Sequence, residues 1–164
     1  MVVRIRRPKA AVSFVHPLDP APRTAILVPG FKTTRTIRVF PHGWNAAAAK
    51  FAPESVAGTF EQLLLLAGTR VVLSHAVICL AWKRDDLLSS GERDLLWNLF
   101  GVPLFEQYLD SRNRRIAFEC EAHSGFHAAP AYAEANGSRC PCGTGVLAAM
   151  NLAAEHFGDA VLHP

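Results

Sequence analysis

The sequence predicts an α/β (or α+β) fold, a single domain over residues 1–164 with a central mixed sheet, flanking helices and a Cys/His zinc-bearing loop. Three observations lead there. Short apolar, β-branched runs alternate with segments of helical periodicity. A chain of 164 residues suits one hydrophobic core. Three of the four cysteines fall in one stretch, Cys120 to Cys142, with His123 and His127 among them.

The elements follow in order. Val2–Ile5, Thr24–Val28 and Thr36–Phe40 read as short strands, separated by the proline-rich loop "HPLDPAPR" and followed by the turn "PHGWN". From Pro53 to Arg70 the spacing predicts a helix. Val56, Phe60, Leu63 and Leu64 share one face, with Ser55 as N-cap and Gly68 as the stop. Val71–Trp82 is an apolar run that suits a buried strand. Ser89 followed by Glu92 forms a capping box, and Leu95, Leu96, Leu99 and Phe100 make a helical stripe. Gly101 and Pro103 end that helix. "VPLFEQYL" and "RRIAFEC" read as strands around the turn "DSRNR", and Gly145–Gly158 as a C-terminal helix.

Half of the residues are hydrophobic and 19% are charged, which is a globular composition. The net charge of +3 and the pI near 8.8 are mildly basic. Arg4–Lys9 and Arg112–Arg115 read as solvated charge before an anion-binding patch, so nucleic acid is not the expected partner. Val71–Trp82 is too short for a membrane span, and no signal-peptide core follows the N-terminus. A cytoplasmic location is expected, where clustered cysteines suggest metal or catalysis before disulfides.

Structural zinc takes four Cys or His ligands in a tetrahedron. A pair from a strand end and a pair from the tight turn "CPCG" can close such a site, with Pro141 restricting the backbone and Gly143 relieving the turn. Cys120, Cys140 and Cys142 are the firm candidates. The fourth is His127 or His123, with Ser124–Gly125 offering a turn that brings His127 back beside Cys120. Against this stand two other readings, small core cysteines and a nucleophilic Cys/His pair; no oxyanion-hole motif accompanies the latter. Cys79, alone in its apolar run, reads as packing. "LVPGFKTTRT" is a weak phosphate-loop candidate through its amides and Lys32. Glu106 and Asp110 share a strand face by parity.

"AFECEAHSGFH" resembles the "ECEAQxGLHxWED" segment of phenylacetate-CoA ligases and their adenylate-forming relatives, and "CPCG" resembles the later "CxCGR" of the zinc-containing members. The resemblance covers about residues 87–143 and places Tyr108 at the tyrosine of the family's "YGxSE" motif. It implies Cys120, His127, Cys140 and Cys142 as metal ligands, with His123 outside the coordination sphere. The family's phosphate loop is absent, Leu109 stands at the motif glycine, and only twelve residues separate His127 from Cys140. The expectation is a small zinc-binding protein, not a self-sufficient ligase, that binds an acyl or nucleotide ligand or a protein partner. A small zinc- or thiol-dependent enzyme and a basic nucleic-acid-binding module are the alternatives.

Overall fold

The computed structural model describes residues 10–123, 125–129, 138–143 and 145. Seven strands make one mixed sheet: β1 Thr24–Ile26, β2 Ile37–Val39, β3 Ser55–Gly58, β4 Ala76–Ala81, β5 Leu104–Leu109, β6 Arg115–Glu119 and β7 Phe126–Ala128. Across the sheet the order is β2-β1-β3-β4-β5-β6-β7. The first five strands are parallel, and β6 and β7 add antiparallel at one margin. This is the expected α/β architecture.

Helices α1 Ala46–Phe51, α2 Phe60–Ala67 and α3 Ser90–Phe100 connect β2 to β3, β3 to β4 and β4 to β5. All three connections step the same way across the sheet, so right-handed crossovers put the helices on one face. The core agrees. Leu63, Leu66 and Leu96 pack on Ala25, Val56, Val77, Cys79 and Leu104. The opposite face gathers Ile26, Ile78, Leu80, Phe105 and Leu109 beneath Phe14 and Phe31. There the chain before β1 serves as cover, and Val12 bridges to Phe31. β4 is buried at all six positions, which explains its unbroken apolar sequence.

Helix α3 forms as its sequence predicts. Ser89 Oγ accepts from the Glu92 N–H at 3.3 Å, and the Glu92 carboxylate accepts from the Ser89 N–H at 2.8 Å. Gly101 ends the helix at φ 64°. The helix predicted from Pro53 starts later. Residues 55–58 are β3, and Thr59 is the N-cap, in a capping box with Gln62. The 56/60 apolar spacing imitated a helical face, and a strand buried on both sides shows no alternation to contradict it. Helix α1 was not expected. Its alanine run lacks periodicity, and Asn45 caps it by accepting from the Ala47 and Ala48 N–H groups at 2.9 and 3.0 Å. The strand expected at Val2–Ile5 and nearly all of the helix at Gly145–Gly158 lie outside the described residues. Among the described residues, no helix is long and apolar enough to cross a membrane.

Thr59→Ala removes the cap that starts α2 and lowers unfolding free energy by about 1 kcal/mol in denaturant melts. Ser55→Ala, inside β3, removes no cap and does not lower it.

Candidate metal centre

β6 runs antiparallel to β5, so it ends beside the start of β5, at the amino edge of the parallel strands. Cys120 follows β6 directly. The chain then turns: the His123 N–H donates to the Cys120 carbonyl at 3.0 Å, and the Ala122 N–H donates to Cys120 Sγ at 3.4 Å. The second cysteine turn repeats this geometry. The Gly143 N–H donates to the Cys140 carbonyl at 3.0 Å. Both turns place a left-handed residue last, His123 at φ 46° and Gly143 at φ 77°. Between them in sequence lies β7, which sets His127 opposite Phe118 with ring centroids 5.0 Å apart.

These elements bring Cys120, His127, Cys140 and Cys142 together, with one ligand atom of each within 4.8 Å of all the others. Cys120 Sγ is 3.7 Å from Cys140 Sγ, and Cys142 Sγ is 3.6 Å from His127 Nε2. A tetrahedron with metal–sulfur bonds of about 2.3 Å and metal–nitrogen bonds of about 2.0–2.1 Å has S···S edges of about 3.8 Å and S···N edges of about 3.6 Å. The two separations fit those edges, the S···S distance exceeds a disulfide bond of about 2.05 Å, and none of the four cysteines is in a disulfide. These four residues therefore lie close enough to hold one metal ion. His123 is not among them. Its ring stacks on Phe105, centroids 5.0 Å apart.

Burial pushes the Cys120 thiol up to about 11, with Cys140 and Cys142 pushing it the same way and the Ala122 N–H opposing them. Burial lowers the His127 pKa, and Arg115 lowers it further. The imidazole is thereby kept neutral, the form that binds metal. Burial also raises Cys79, far into the thiol range, which suits a packing residue in the helix-side core.

Gly145 completes the site. Its carbonyl accepts from the Cys140 N–H at 2.9 Å, closing the second turn. A Cβ at this position would lie 2.0 Å from His127 Nδ1. His127 is only 3% exposed, and its ring lies against Phe118 and Cys142. The second glycine of "CPCGTG" was the available signal, and sequence reasoning did not use it.

Other expected sites do not assemble. In the "LVPGFKTTRT" loop the Lys32 and Thr34 amides donate to the Val12 and Ile37 carbonyls. Asp110 caps the β5–β6 turn through the Arg112 and Arg114 N–H groups, whereas Glu106 faces Arg93 and Glu119. Arg114 pairs with Asp110, and Arg115 lies over the Phe118 ring at 3.6 Å. Tyr108 is 1% exposed within β5. Comparison of the chain with protein-family models and with curated proteins finds no match.

Gly145→Ala displaces the His127 ring and weakens metal binding by about tenfold or more, read by titration with cobalt(II) absorbance. Cys140→Ser lowers the thermal midpoint of the metal-loaded protein more than Cys79→Ser does.

Proposed function

We propose that this chain is a zinc-binding α/β protein in which Cys120, His127, Cys140 and Cys142 hold one structural Zn²⁺. The observation that carries this reading is the convergence of three thiols and one imidazole within 4.8 Å, with the Cys120–Cys140 and Cys142–His127 separations at tetrahedral edge length. The donor set suits zinc; calcium and magnesium take oxygen ligands. Four protein ligands close the coordination sphere, whereas catalytic zinc keeps a position for water.

Location supports the structural role. Open α/β sheets bind ligands beyond the carboxyl ends of their strands, where strand order reverses. Here that point lies between β1 and β3. Two protein side chains bond to the backbone that follows β1 there. Gln62 Nε2 donates to the Leu27 carbonyl at 2.9 Å, and Asn113 donates to the Pro29 carbonyl at 3.1 Å while accepting from Trp82 Nε1 at 2.9 Å. The cysteine cluster lies at the other edge. There the ion joins β6 and β7 to the turn at residues 138–143, and metal binding contributes directly to folding.

On this reading the likeness to phenylacetate-CoA ligases concerns the zinc-bearing segment alone. The activity of the chain is binding, to an acyl or nucleotide ligand or to a partner protein, rather than carboxylate activation.

Metal analysis of the purified protein is expected to find about one zinc per chain; protein purified without chelators and containing none contradicts the proposal. The pH dependence has a definite sign. Metal is held by thiolates and neutral imidazole, so binding releases protons, and the stability it adds is present at higher pH and lost as pH falls. Zinc content after equilibration is therefore constant near about pH 8 and declines toward about pH 5; retention independent of pH contradicts thiolate ligation.

A further inference from the structure

We propose that Glu119 and Arg93 are positioning residues for the metal site, setting how tightly the Cys120 turn holds its ion. This rests on the zinc reading above and extends it beyond the four ligands.

Glu119 is the last residue of β6, immediately before Cys120. The β5–β6 register pairs Gln107 with Phe118, so the next rung sets Glu106 against Glu119. At that rung the Glu106 N–H donates to the Glu119 carboxylate at 2.8 Å. A side chain takes this ladder bond where the backbone leaves the sheet for the cysteine turn. Arg93 of α3 completes the arrangement. Its guanidinium donates to the Glu106 carboxylate and reaches both Glu119 oxygens, at 2.9 and 3.0 Å. The other Glu106 oxygen accepts from the Leu88 N–H at 2.8 Å, just before the α3 cap.

Glu106 and Glu119 are 3% and 6% exposed. Every carboxylate oxygen of the pair has a donor. Such a group is rigid because any departure leaves a buried charge without its partner. The far end of the turn is fixed as well, by the His123 ring stacked on Phe105. Two adjacent β5 residues, Phe105 and Glu106, thus hold both ends of the Cys120–His123 turn. Arg93 ties the same point to α3, whose Leu96 sits in the core. The sulfur of Cys120 is thereby presented at a set position, as groups supporting metal ligands do.

The test compares Glu119→Gln, which keeps the shape and an acceptor oxygen, and Arg93→Lys, which keeps the charge but not the two-armed contact, with Leu96→Ala. The last destabilises α3 without touching the turn. Zinc affinity is read by competition with a chromophoric chelator, and ligand geometry by the cobalt(II) absorption bands. Glu119→Gln and Arg93→Lys are expected to weaken zinc binding by about 10–100-fold and to shift the cobalt bands. Leu96→Ala is expected to lower the thermal midpoint and leave affinity unchanged. An unaltered protein that binds zinc, with both clamp variants matching it, overturns this proposal alone, as does a Leu96→Ala loss of affinity equal to theirs. An unaltered protein that takes up no zinc overturns the zinc reading and this one with it.

Discussion

Three thiols and one imidazole, drawn from a strand end, a strand interior and a separate turn, meet within 4.8 Å at the margin of the sheet. Nothing in ordinary packing accounts for such a gathering. Sulfurs 3.7 Å apart without a disulfide gain little from each other, and burial already holds the Cys120 thiol in its protonated form. A cation that converts thiols to thiolates changes the balance, because each ligand then gains a bond it cannot find elsewhere. The residues around the site are small or polar, and Phe118 and Phe126 are the only large apolar side chains of β6 and β7 beside Ile116. Among the described residues this margin carries little apolar surface, and on the zinc reading proposed above the ion supplies the hold that burial does not.

The rest of the molecule is organised differently. The parallel strands β1 to β5 are secured by burial on both faces, with helices on one side and the early chain on the other. At its carboxyl edge Asn113, at the tip of the β5–β6 turn, ties Trp82 to Pro29, and a Cβ at Gly30 would collide with it at 2.2 Å. The β5–β6 hairpin therefore acts at both edges. Its tip ties down the chain beyond β1, and its open end delivers Cys120 to the cysteine cluster. Between them, the ionic group of Arg93, Glu106 and Glu119 joins the helical layer to the margin that carries the cysteine cluster.

Much of this was legible in the sequence where a local rule was enough. The Ser89–Glu92 capping box and the Gly101 stop set α3, and the apolar run at residues 71–82 contained β4. β3 was read as helix because Val56 and Phe60 fall at helical spacing, while its four buried residues offer no alternation. β7 was invisible because its three residues sit inside a segment read for its cysteines and histidines. The four clustered residues were legible from spacing and resemblance together. Their supports were not. Glu119 meets Arg93 across 26 residues, and "SGERD" reads locally as a solvated helix end. Strand parity alone would put Glu106 and Asp110 on one face, but the irregularity between Tyr108 and Leu109 and the turn that begins at Asp110 separate them.

The central claim concerns which atoms hold the ion, and X-ray absorption at the zinc K-edge tests it most directly. The account predicts one four-coordinate zinc with three sulfur neighbours at about 2.3 Å and one nitrogen at about 2.0–2.1 Å. A first shell of oxygen and nitrogen alone, or a fifth ligand from water, would contradict it.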